Sequence, residues 1–197
     1  MGAYTPLPDL SEYAVEPILD RVHRPILAEL RRRGTPFVGF LYAGLILTSD
    51  GPRLLECNAR LGDPEAQVIL PRLAAPLGPV LLSAARSSLA VARPMPVLPG
   101  AAVGIVLAAA GYPASPRRGD RIDGLDGPGS ALVFHAGTRE HDGTWTTDGG
   151  RVLAVVGRGQ ALERARAQAE DAAEAISWAG MQRRNDIAQP VTAGAVA

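Results

Sequence analysis

Apolar residues at Val15, Ile18, Leu19, Val22, Ile26, Leu27 and Leu30 recur at helical spacing, and Ser11 followed by Glu12 supplies an N-cap and an acidic first turn. Pro17 and Pro25 interrupt the run, which predicts a kinked helix or two short ones ending at Gly34. The basic triplet Arg31–Arg33 suits a helix C-terminus; a phosphate contact is the other reading. Ahead of this helix, Met1–Asp9 has no periodicity and reads as an extended lead-in. Residues 37–48 are dense in strand formers and residues 53–58 form a second such run. The Asp50-Gly51 pair between them predicts a β-hairpin. Asp63-Pro64 reads as an N-cap and first helical residue, opening a helix through Gln67, Val68 and Leu70, with another over Pro79–Leu89.

Pro94, Pro96 and Pro99 mark the clearest boundary in the chain. Beyond it, strand patterns cover 101–109, 117–122, 131–136, 143–147 and 151–156, separated by glycine-rich turns. A last helix is expected from Gln160 to about Ala179, with Leu162, Ala165, Ala169, Ala172, Ala173 and Ile176 on its apolar side. The expected class is α+β, in two domains at 1–93 and 94–188 with a disordered tail at 189–197.

With 197 residues, 47% of them hydrophobic, the chain can bury a sizeable core. Basic and acidic residues number 20 each, leaving a formal net charge of zero. That gives no electrostatic footprint for nucleic acid or an anionic membrane, and neither is an expected partner. All 20 basic residues are arginine, so the chain offers no amine nucleophile and no phosphate-gripping lysine. Cys57 is the single cysteine, which excludes an internal disulfide and a multi-thiolate zinc site, and a reducing, cytoplasmic setting fits. The apolar run at 101–110 is too short to span a bilayer, and Asp9, Glu12, Glu16 and Asp20 are foreign to a signal peptide. The abundance of alanine is attributed to genome composition.

The densest chemistry lies in Leu54–Gln67, LLECNARLGDPEAQ. On a strand, Glu56, Asn58 and Arg60 share one face, while Leu55, Cys57 and Ala59 share the other. A carboxylate and an amide oxygen two residues apart are hard ligands suited to Mg²⁺ shared with nucleotide phosphates. The spacing alone fits equally well the wet face of a half-exposed strand. Gly62-Asp63-Pro64 turns into a helix whose N-terminus presents free N–H groups to an anion. Asp63 as a cap and Glu65 as a first-turn acid explain those residues without any ligand. Cys57 is expected to be a buried, inert thiol, His135 a hydrogen-bonded structural histidine, and His23 and His141 surface residues.

The stretch GFLYAGLILTSDGPRLLECNARLGDPEAQVILPRL resembles the second half of the phosphoribosylamine-glycine ligase family, the glycinamide ribonucleotide synthetases of the ATP-grasp superfamily. RLGDPEAQ fits that family's signature. MGAYTP, HAGT (His135–Thr138), GGRVL (Gly149–Leu153) and GMQRRNDIA resemble further family motifs, so the likeness covers nearly the whole chain. Cys57 departs from a usual aromatic, Ala66 from a usual threonine, and RRNDIA from an RRDIG-like form.

The resemblance implies the second half of an ATP-grasp domain, an antiparallel sheet with helices, followed by a small β-rich domain with a closing helix. It implies ATP, glycine and 5-phosphoribosylamine as substrates. Glu56 and Asn58 would bind Mg²⁺ or Mn²⁺, Arg60 would act on the transferring phosphoryl group, and Gly2, Tyr4, Gly62, Asp63 and Glu65 would bind substrate. The family's N-terminal domain and ATP lid, with its lysine, have no counterpart here, and Met1 would correspond to an internal methionine. The chain would then be the metal-binding half of a ligase, a partner-dependent subunit of a split enzyme, or a non-catalytic fragment.

Overall fold

The computed structural model describes residues 1–8, 10, 15–89 and 95–189. In chain order its elements are β1 (Gly2–Thr5), α1 (Val15–Ile18), α2 (Arg24–Arg32), β2 (Tyr42–Thr48), β3 (Gly51–Asn58), α3 (Glu65–Ile69), α4 (Gly78–Ala85), β4 (Ala101–Ala108), β5 (Leu132–His135), β6 (Thr138–His141), β7 (Thr144–Thr147), β8 (Arg151–Gly159) and α5 (Leu162–Ala175). They fall into two units interleaved along the sequence. One comprises Met1–Pro6, Pro64–Arg72 and the chain from Leu98 onward; the other comprises the described parts of Leu7–Asp63 and Leu73–Val97. Ser11, Glu12, Arg93, Pro94 and the expected tail beyond Gln189 lie outside the described residues. No described helix is long and apolar enough to cross a membrane.

The first unit is built on an antiparallel sheet in the order β1-β4-β8-β5. Every residue of β4 is buried. Its sequence AAVGIVLA is apolar throughout, as a strand covered on both faces must be. Val103, Ile105 and Leu107 face the cluster built with α5, while Ala102 joins Val156 and Val68 of α3 on the other face. Full burial of each such valine, leucine or isoleucine stabilises the fold by about 1.5–3 kcal/mol. Met1–Asp9, read as a lead-in, contains β1, whose residues pair with β4 from Gly2↔Ile105 to Thr5↔Ala102. A four-residue strand with prolines following it carries no periodicity of its own.

On α5 the buried side chains are Ala165, Ala169, Ala172 and Ala173. Opposite them are Gly157 and Gly159 of β8; a Cβ on Gly157 would stand 2.1 Å from the Ala165 carbonyl oxygen. Small residues on both sides therefore let helix and strand backbones approach closely. Alanine here is a packing requirement, whatever the genome favours. The helix stops at Ala175, short of Ala179, because Ile176 turns extended and Ser177 exchanges two backbone hydrogen bonds with Asp123.

Residues 117–122 form no strand, only an isolated bridge at Arg121, flanked by Gly119 and Gly124 at positive φ. The polar TREH is strand β6, paired with β7 across Asp142-Gly143, both at positive φ as a tight hairpin turn requires.

In the second unit, α1 and α2 are joined without a break by a π-helical segment, Leu19–His23. The Arg24 N–H bonds to the Leu19 carbonyl, widening the turn just before Pro25, which has no N–H to donate. Arg32 and Arg33 both bond to Glu29 and hold its carboxyl below the usual carboxylate value, Arg32 contributing more. That is the helix-end reading of the basic triplet. His23, expected at the surface, is half-buried, its Nδ1 shut from solvent without a hydrogen-bond partner among the described residues; His141 is exposed. The hairpin forms as the Asp-Gly signal predicts, but β2 begins at Tyr42 instead of Phe37.

Candidate functional site

The β2–β3 hairpin pairs Gly44 with Glu56 and Tyr42 with Asn58, with a bulge after Gly44. Alternation along β3 puts Glu56 and Asn58 on one face, and the Asn58 Nδ2 donates to Glu56 Oε1 at 3.0 Å. A Cβ on Gly44 would lie 3.0 Å from the Glu56 Cγ, so the bare backbone opposite leaves the glutamate stem its space. Only the register reveals this role for Gly44. Glu56 is exposed and Asn58 half-buried.

Among the described residues no three His, Cys, Asp or Glu side chains gather as a metal site. Glu56 and Asn58 nonetheless offer a carboxylate and an amide oxygen on one face, the donor types a hard divalent cation takes. A hexacoordinate ion would draw its other ligands from elsewhere.

Arg60 lies past the end of β3, where strand alternation no longer sets its direction. Its guanidinium donates to the Leu61 carbonyl at 2.8 Å, and no bond joins it to Glu56 or Asn58. Gly62 is buried and Asp63 exposed. Helix α3 starts at Glu65, so the N-cap position falls on Pro64, one residue past the expected Asp63. The helix is five residues long and continues as a 3-10 turn, Leu70–Arg72. Gly2 and Tyr4 are on β1. A Cβ on Gly2 would come within 2.5 Å of the Gly104 carbonyl oxygen, so the packing of β1 on β4 itself requires glycine there. Tyr4 is partly buried against the α5 side of the sheet.

Cys57 is exposed, against expectation. So are its neighbours Leu54 and Leu55, at 45% and 67%, with Ile46 and Leu47 of β2 at 49% and 54%. Leu55 and Cys57, which alternation assigned to a buried face, are thus not covered by the described residues. His135 bonds through Nδ1 to Thr138 Oγ1 at 3.0 Å and its ring lies 4.3 Å from that of Trp145, a structural setting. Arg151 donates to the Tyr112 hydroxyl at 3.2 Å.

Two family models match: "Phosphoribosylglycinamide synthetase, ATP-grasp (A) domain" over residues 1–66 and "Phosphoribosylglycinamide synthetase, C domain" over 102–190. The chain belongs to the phosphoribosylglycinamide synthetase family. It is similar to the phosphoribosylamine-glycine ligase of Streptomyces coelicolor, 47% identical over 193 residues that cover 95% of this chain and 46% of that one. The ligase of Corynebacterium ammoniagenes is 43% identical, covering 100% and 46%. The chain thus spans about half the length of the curated relatives it matches. Among solved structures, the Thermotoga maritima phosphoribosylamine-glycine ligase matches with a TM-score of 0.80 and 37% identity, over 94% of this chain and 46% of that one. The biotin carboxylase domain of a Hydrogenobacter thermophilus carboxylase matches in fold alone, at a TM-score of 0.63 and 14% identity, over 92% and 40%. The α+β architecture of this family member is accordingly that of ATP-grasp proteins.

Proposed function

We propose that this chain is the metal-binding half of an ATP-dependent ligase that joins glycine to 5-phosphoribosylamine, giving glycinamide ribonucleotide, ADP and phosphate. The observation that carries the reading is the Glu56–Asn58 pair, two oxygen-bearing side chains bonded at 3.0 Å on one exposed face, within the segment that the family model covers.

A free carboxylate is a poor acyl donor. Transfer of the ATP γ-phosphoryl group to the glycine carboxylate makes glycyl phosphate and releases ADP; the amine then attacks the carbonyl carbon and expels phosphate. A divalent cation, Mg²⁺ or Mn²⁺, would neutralise phosphate charge in the first step. Glu56 and Asn58 would hold it through the carboxylate and the amide oxygen. Arg60, whose guanidinium has its own charge free of any carboxylate partner among the described residues, would stabilise the charge on the transferring phosphoryl group. Gly2, Tyr4, Gly62, Asp63 and Glu65 are assigned to substrate binding by family likeness.

The reaction needs a second polypeptide segment. The chain has no lysine for the nucleotide phosphates, and the uncovered leucines of β2 and β3 are what removal of an adjoining half would leave. Glycine-dependent ADP formation with phosphoribosylamine, measured on the chain alone and with an N-terminal half supplied, tests the reading. Turnover only in the complemented mixture is expected; none in either sinks it.

A further inference from the structure

The first unit contains a cavity of about 370 Å³ at the end of β8, lined also by the start of β4 and the 3-10 turn after α3. None of its ten lining residues is acidic. Two are arginines. Arg72 donates to the Thr5 hydroxyl at 2.9 Å and to the Leu98 carbonyl at 3.0 Å, both neutral acceptors, and its buried Nε–H has no acceptor among the described residues. Arg158 is exposed, and among the described residues its guanidinium has no hydrogen bond or ion pair.

The remaining polar lining is aimed by one side chain. Gln168 accepts the Arg158 backbone N–H at 2.6 Å through its carbonyl and donates to the Ser130 hydroxyl oxygen at 2.5 Å through its amide. Ser130 therefore accepts from Gln168 and keeps its own proton to donate. Two guanidinium groups without a counter-charge and a spare hydroxyl donor, with no acid among the lining residues, ask for an oxyanion. The cavity is larger than a bare ion fills and within the range of about 300–1,000 Å³ of small-molecule sites. Leu98 and Pro99 give it an apolar wall for an organic portion.

We propose that this cavity binds a phosphate monoester, a site separate from the residues assigned to the ligase reaction. Titration of the chain with glycerol 2-phosphate, followed by calorimetry at constant ionic strength in chloride, tests it without ATP, glycine or metal. Saturable binding is expected, weakened about tenfold in Arg158→Gln, the loss expected of one charge-assisted hydrogen bond, and unchanged in Arg86→Gln, which alters net charge equally at an exposed position that does not line the cavity. Arg158→Gln keeps the backbone bond to Gln168, so the fold should be retained, as circular dichroism would show. No saturable binding, binding unchanged in Arg158→Gln, or equal weakening in both variants overturns the proposal. Inorganic phosphate binding as tightly as the ester would overturn the monoester assignment.

Discussion

Asn58 donates to the carboxylate of Glu56 from two residues away on the same strand, at 3.0 Å. The pair shares one face because β3 is regular from Glu56 to Asn58, past the bulge, and Gly44 opposite leaves Glu56 room. In the complemented enzyme, Glu56→Gln keeps the shape and removes the charge. Glycine-dependent ADP formation should fall by about a hundredfold or more, with a higher metal concentration needed for half-maximal rate. Activity unaltered at limiting metal would remove Glu56 from the metal site.

Gly44→Ala tests the same geometry from the facing strand. The added Cβ meets the Glu56 Cγ at 3.0 Å, so the carboxylate must shift by a few tenths of an ångström. The metal requirement in the complemented assay should rise several-fold while the folded fraction stays unchanged. An identical metal dependence would show that the Glu56 stem tolerates the contact.

Gly157 lies beneath α5 with no space for a side chain. Gly157→Val should destabilise the first unit by about 1–3 kcal/mol or more through overpacking, read as a lower midpoint in urea with an unchanged slope. A neutral result would mean that α5 can lift from β8 without loss.

The Cys57 thiol is exposed. It should react fully with a disulfide reagent in native buffer, one equivalent per chain. Reaction only after adding denaturant would restore the buried thiol that strand alternation predicts.

Arg184 donates to Asp186 through Nε at 2.7 Å and holds the Asp186 carboxyl below its ordinary value of 3.8. The folded-state value is depressed, so the pair's contribution is present above the ordinary carboxylate value and is lost as pH falls through the lower, folded one. Both side chains are solvent-accessible, so the effect on stability is small. A carboxyl-carbon NMR titration should find Asp186 below the ordinary value in the native chain and near it in Arg184→Gln. An ordinary value in the native chain would contradict the pairing.

The Asp50-Gly51 turn, the β3 alternation that sets Glu56 beside Asn58, and the alanine face of α5 were legible because each rests on local rules: turn φ, the two-residue strand period and the helical repeat. Strand β1 was not, since four residues carry no period and its identity comes from hydrogen bonds to β4, about a hundred residues away in sequence. Strand β6 is too polar to announce itself without its partner β7. The direction of Arg60 escaped because alternation ends where the strand does.

Cys57 shows the limit most plainly. Strand alternation sets it opposite Glu56 and Asn58 and predicts a face shared with Leu55, where the bulge interrupts the pattern. Whether that face is covered depends on which other segments pack there, and burial is a property of the assembled structure. The motifs by themselves determined the family and the local order of the candidate site residues. Only the tertiary structure decided that Met1–Pro6 and Pro64–Arg72 join the chain after Leu98, that alanine and glycine serve close packing of α5, and that Arg72 and Arg158 line one cavity. Those outcomes rest on contacts between segments far apart in sequence, which no local pattern of residues encodes.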